Sequence, residues 1–159
     1  MTTNITGGCQ CGAIRFRVDG ELGDASICHC RMCQKATGGF FGPYVGAPRQ
    51  AVVWTRGRLK HFQSSNKVAR GFCGDCGTPL TYEYGDGDVG LSIGALDRPA
   101  ETAPRVQLAS SAELPYFAGL AALPVHADDE PRAAAHLASI VSYQHPDHDT
   151  DKWPPEDRK

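Results

Sequence analysis

The sequence predicts a mainly β, metal-binding domain of short antiparallel sheets with a C-terminal helix. Three observations predict it. Eighteen glycines and eleven prolines cut the 159 residues into short pieces. Several short runs read as strands, and one good helix appears, late in the chain. Seven cysteines stand in two pairs and one triplet. At this length a hydrophobic core is expected without disulfide staples.

"AIRFRVD" sets Ile14, Phe16 and Val18 against Arg15 and Arg17, the period of a half-buried strand. "AVVWT", "RLKHFQ", "KVARGFC", "PLTYEY" and "VGLSIGAL" read as further strands, and "RVQLAS" as another. The Gly-Asp-Gly of "EYGDGDVG" marks a tight connection between two of them. A short helical turn is placed after Cys30. "EPRAAAHLASIVSY" puts Pro131 in a first turn, then Ala134, Leu137, Ile140 and Val141 at helical spacing. The tail "QHPDHDTDKWPPEDRK" is polar and proline-rich and reads as an irregular terminus, with His145 and His148 in solvent. His61 and His126 are placed on the surface. One domain is thus expected over residues 1–125, with the helix and tail over 126–159.

Net charge is −2, and the sixteen basic residues are scattered, so nothing suggests nucleic acid. "MTTNITGG" has neither the basic start nor the apolar run of a signal peptide, and no apolar stretch approaches a membrane span. The expected setting is cytoplasmic. There a disulfide framework is disfavoured, and an odd number of cysteines cannot pair completely within one chain. Metal binding or catalysis is the better reading.

The spacing is C-x-C (Cys9, Cys11), C-H-C-x-x-C (Cys28, Cys30, Cys33) and C-x-x-C (Cys73, Cys76). Structural zinc closes on four protein ligands, whereas catalytic zinc keeps three and leaves one position open. Seven thiols fit one site of each kind. In "FCGDCGTPL" two intervening residues let both sulfurs reach one ion, and Gly74 and Gly77 permit the angles that aim amides at thiolates. A redox pair or two buried structural cysteines are the alternatives for this segment. Cys9 and Cys11 lie two apart in extended chain and face the same way, so they need a second pair, and Cys73 with Cys76 supplies it. Cys28, Cys30 and Cys33 remain as a self-contained chelate. A rival partition joins Cys30 and Cys33 to Cys73 and Cys76; spacing alone favours the first without removing the second. His29 could be a fourth ligand that closes the second site, but in extended chain it points away from both neighbouring cysteines, and a hydrogen-bonding or packing role is the alternative.

"GGCQCGAIRF", "CHCRMCQKATGG", "FCGDCGTPL" and "LSIGALDRP" resemble the glutathione-dependent formaldehyde-activating enzyme family. The resemblance runs from about Gly7 to Pro99. It implies an Mss4-like (β-tent) zinc fold and a structural zinc on Cys9, Cys11, Cys73 and Cys76. It implies a catalytic zinc on Cys28, Cys30 and Cys33, hence two zinc ions per chain. It further implies glutathione as co-substrate, an aldehyde partner and carbon–sulfur lyase chemistry on S-hydroxymethylglutathione. The family's tryptophan and acidic residue after the last hairpin have no aligned counterpart, and Glu113 and Tyr116 lie near their expected place.

Three thiolates leave a zinc site with one net negative charge, which damps water activation and suits an incoming thiol. Such coordination holds the thiol as the nucleophilic thiolate. Arg31 and Lys35 are candidates to offset the glutathione carboxylates, and "ATGGFFGPYVG" to form a pocket loop or a turn into a strand. Two other functions fit the residues: a thiol carrier or redox sensor without catalysis, and a zinc-stabilised protein-interaction module.

Overall fold

The cysteines stand at the turns of two hairpins and at one strand–helix junction. The computed structural model describes residues 5–125 and 131–154; His126, placed on the surface from sequence, lies outside them. Strands β1 (Ile5–Gly8) and β2 (Arg15–Val18) pair antiparallel, with residues 9–14 as their turn. Strand β5 (Val52–Arg56) adds to β2 and completes a three-stranded sheet.

The larger sheet contains β3 (Ala25–Cys28), β4 (Gly42–Ala47), β6 (Lys60–Gln63), β7 (Val68–Phe72), β8 (Pro79–Tyr84), β9 (Val89–Ser92) and β10 (Val106–Leu108). Their order is β10-β3-β4-β9-β8-β7-β6. All pairings are antiparallel except β10 on β3, so the sheet is mixed at one edge. The β7–β8 hairpin turns through residues 73–78, and the Gly-Asp-Gly segment joins β8 to β9 as expected. Sequence reading missed β1 and β3, whose glycine and serine content hides their apolar positions, and offered β4 as the alternative to a pocket loop.

Phe16, Val45, Leu80 and Leu91 are fully buried between the sheets, and Phe16 meets Trp54 edge-on at 5.5 Å. Each such side chain contributes about 1.5–3 kcal/mol of transfer free energy. The alternation in β2 holds for Phe16 and Val18 but not for Arg15, which is only 2 % exposed. Its guanidinium reaches Asp97 at 2.5 and 2.8 Å and Asp149 at 2.8 Å, so a paired charge occupies a position read as polar and open. A buried charge is tolerated only with such partners.

The late helix is α2 (Pro131–Ser139), shorter than its apolar pattern suggests; Ile140 and Val141 lie beyond its end and are exposed, as is Leu137. The tail corrects an expectation. His145 is 3 % exposed and far from solvated: its backbone N–H donates to the Gln10 carbonyl at 2.7 Å. Its imidazole packs on Gly12, where a β-carbon would overlap it and φ is +81°. Trp153 Nε1 donates to the Cys11 carbonyl at 2.6 Å, and the Arg56 guanidinium donates to the Thr150 carbonyl. The polar tail is therefore strapped across the β1–β2 turn; His148 is exposed, and so is His61, bonded to Glu83.

Candidate metal centres

Folding brings the Cys9, Cys11, Cys73 and Cys76 sulfurs within 4.8 Å of one another. The β1–β2 turn supplies one pair and the β7–β8 turn the other, so the cluster bridges the two sheets. Cys9 and Cys11 sulfurs are 3.5 Å apart, and Cys11 and Cys73 sulfurs 3.9 Å. Tetrahedral zinc with bonds of about 2.3 Å places sulfurs about 3.8 Å apart, which this spacing fits.

Donors surround the sulfurs as thiolates require. The Ile14 N–H donates to Cys9 at 3.2 Å, the Asp75 N–H to Cys73 at 3.4 Å, and the Thr78 hydroxyl lies 3.1 Å from Cys76. Burial raises the Cys76 thiol, but hydrogen bonds from Thr78 and the Cys11 backbone outweigh it and bring it down to about 6. Burial holds Cys11 and Cys73 above the ordinary thiol range, so in those a bound cation would have to supply the deprotonation. Gly77 takes the left-handed angle expected of it (φ +79°), its N–H bonding the Cys73 carbonyl. Gly74 does not; its missing side chain leaves room for Lys60, whose Cε lies 2.6 Å from the β-carbon position.

Cys28, Cys30 and Cys33 form a second set within the same 4.8 Å limit. Cys28 ends β3, and Cys30 caps α1 (Arg31–Thr37), its sulfur accepting the Cys33 N–H at 3.4 Å. That bond, which with others near Cys33 and Cys28 outweighs burial, lowers the Cys30 thiol below its usual range. Cys33 is buried within the first turn, and burial pushes it up to about 12 against the opposing bond from Arg70. Cys28 and Cys30 are half-buried. Among the described residues no further cysteine, histidine or carboxylate joins either set. The rival grouping of Cys30 and Cys33 with Cys73 and Cys76 is not the one the fold assembles.

His29 is fully buried and directed away from the cysteines, its Nε2 2.9 Å from Gln107 Oε1 and 3.8 Å from Glu113. Phe117 meets the ring edge-on at 4.7 Å. Gln34, also buried, donates to the His29 carbonyl at 2.8 Å and to the Ala112 carbonyl at 3.2 Å. Together they dock the 107–117 segment against β3 and the following helix, which places Glu113 beside His29 and leaves Tyr116 exposed against Phe40. Arg31 and Lys35 lie on the exposed side of α1. The amides of Gly38 and Gly39 are not turned toward a ligand: the first bonds the Gln34 carbonyl and the second the Thr37 hydroxyl. That segment is a helix cap leading into β4.

Sequence reading missed Arg70. It is 3 % exposed, and its Nη2 lies 3.3 Å from the Cys33 sulfur. Nη1 donates to the Tyr44 hydroxyl at 2.8 Å and Nε to the Ser64 hydroxyl at 3.0 Å, with the guanidinium 5.0 Å from the Tyr82 ring centre. Tyr44, held as a neutral phenol by burial, and Arg70 also line a groove of about 290 Å³ with Phe62 and Phe72. The available signal was parity: Arg70 shares a strand face with Val68.

The comparisons agree with this architecture. A crystal structure of a Rhodobacter sphaeroides protein superposes with a TM-score of 0.53 at 24 % identity, covering 65 % of this chain and 98 % of that one. That likeness concerns the fold, which is mainly β and accords with the Mss4-like class. No curated protein matches the chain. Residues 4–111, well over half of its length, match the glutathione-dependent formaldehyde-activating enzyme family. The chain belongs to that family.

Proposed function

We propose that the protein is a zinc-dependent carbon–sulfur lyase that forms or cleaves a glutathione–aldehyde adduct, S-hydroxymethylglutathione when the aldehyde is formaldehyde. The observation that carries this reading is the unequal division of sulfur, four residues in one set and three in the other, in a chain of this family. Cys9, Cys11, Cys73 and Cys76 would hold a structural zinc, and Cys28, Cys30 and Cys33 a catalytic one. Zinc in the three-cysteine site would supply a soft position that favours an external thiol as thiolate at neutral pH.

The chain's own residues do the rest. Half-buried Cys28 and Cys30 keep one side of the triplet approachable. Arg31 and Lys35, exposed one helical turn apart on α1, are the cations we assign to the glutathione carboxylates, Arg31 also donating to Gln34 Oε1 at 3.1 Å. The segment docked by His29 and Gln34 forms the other flank. In the forward direction the thiol sulfur bonds to the aldehyde carbon, and the sulfhydryl proton ends on the former carbonyl oxygen. Holding both reactants together lowers the entropic cost of that bimolecular step. The setting we assign is cytoplasmic, where seven free cysteines persist; no described helix is long and apolar enough to cross a membrane.

Exchange spectroscopy of glutathione with formaldehyde tests the reading. Zinc-loaded protein should raise the exchange rate between free and hydroxymethylated glutathione, and Cys28→Ser should abolish the increase. Equal rates with and without high concentrations of loaded protein would reject the activity; glutathione binding without acceleration would favour the carrier.

A further inference from the structure

Arg70 is a buried cation without a carboxylate. Its partners are the Tyr44 hydroxyl, the Ser64 hydroxyl and the Cys33 sulfur, and among the described residues no ion pair includes it. A guanidinium 3 % exposed in the sheet interior is strongly unfavourable unless an anion compensates it. Tyr44 and Ser64 are neutral. Among the described residues in contact, the group left to carry negative charge is the cysteine triplet, reached through Cys33.

We propose that Arg70 is the positioning residue of the three-cysteine site, and that its charge is balanced by the net negative charge of three thiolates on one divalent ion. The inference rests on reading Cys28, Cys30 and Cys33 as a metal set, but not on any reaction there. The guanidinium is fixed at three corners, with Nε on Ser64, Nη1 on Tyr44 and Nη2 on Cys33, and lies over the Tyr82 ring. A planar fork held this way defines where the Cys33 sulfur sits. Gly42 permits this close packing: a β-carbon there would lie 3.0 Å from Cys33 Cβ and 2.5 Å from the Tyr44 ring.

Two consequences follow. The N–H···S bond withdraws electron density from Cys33, so the site attracts an incoming thiolate more strongly than three uncorrected thiolates would. Cation and anion also cancel, leaving the site near neutral toward a negatively charged thiol such as glutathione. Residues that orient metal ligands in this manner typically alter affinity by about 10–100-fold when replaced.

Cobalt-substituted protein supplies the test. Arg70→Met should weaken Co²⁺ binding at the triplet by at least about tenfold and move the sulfur-to-cobalt charge-transfer band to longer wavelength. The four-cysteine site should bind as in the unaltered chain, which also reports folding. Arg70→Lys, keeping the charge but not the fork, should retain more affinity than Met while the band still moves. Should Arg70→Met fail to fold, Tyr44→Phe and Ser64→Ala remove the outer anchors and are expected to move the band in the same direction by less. Folded variants with unchanged affinity and band position would overturn the proposal and reduce Arg70 to packing. If the band moves but the unaltered protein accelerates no glutathione–formaldehyde exchange, the proposed reaction fails and this inference stands.

Discussion

Replacing Cys73 by serine should abolish the folded state, whereas replacing Cys28 should not. Cys73 is 1 % exposed, sits at the β7–β8 turn, and its sulfur lies 3.9 Å from Cys11 on the other sheet's hairpin. The four-cysteine cluster is thus a staple between two sheets. Structural zinc binding contributes about 10–16 kcal/mol in small zinc domains, against a total stability of about 5–15 kcal/mol for ordinary domains. Losing that ion removes as much free energy as the fold possesses. Cys73→Ser should therefore show no cooperative melt by circular dichroism, or should aggregate. Cys28 lies half-buried at the end of β3, joined to the sheet by backbone pairing that serine retains. Cys28→Ser should keep a cooperative melt within a few degrees of the unaltered protein and hold one zinc by elemental analysis instead of two. A monomeric Cys73→Ser variant melting like the unaltered chain would refute the reasoning.

Other outcomes follow from the same contacts. Asp97→Asn strips the nearer partner from buried Arg15 and should cost about 3–5 kcal/mol in denaturant unfolding; Arg15→Met with Asp97→Leu should recover most of it. Burial raises the Asp97 pKa, but bonds from Arg15 and Thr6 prevail and lower it below its unfolded value. Its stabilisation is accordingly full above the unfolded value near 4 and lost as pH falls through the folded one, which acid titration of the unfolding free energy will register. Deleting residues 145–159 removes the His145 and Trp153 bonds over the β1–β2 turn, so a chelator should extract metal from the four-cysteine site faster, with the triplet's rate unchanged. Gly12→Ala meets a left-handed angle and the His145 ring together, and should destabilise by about 1–3 kcal/mol, measured by thermal melt.

The cysteines were the most legible part of the chain, because metal-ligand spacing is local and the glycines around it restrict the backbone. Strand β2 was readable from its alternation and β5 from its run of β-formers, both local signals. Arg70 and Arg15 were not, since a charged residue on a strand reads as solvent-facing until its partner is known. Those partners are remote: Cys33 and Tyr44 for Arg70, Asp97 and Asp149 for Arg15. The tail misled similarly. Its composition is that of solvated chain, and its order comes from Gly12 accepting an imidazole and from arginines on β2 and β5. Helix α2 shows the reverse case, an apolar spacing legible in sequence whose Leu137 remains exposed.

Cadmium-113 NMR of the metal-exchanged protein, titrated with glutathione, addresses the division of sulfur most directly. Two resonances are predicted: one in the four-sulfur range, unmoved by glutathione, and one at lower shift that moves toward that range as an external thiolate joins Cys28, Cys30 and Cys33. Two resonances that both ignore glutathione, or a second ion already bound by four protein ligands, would contradict the account.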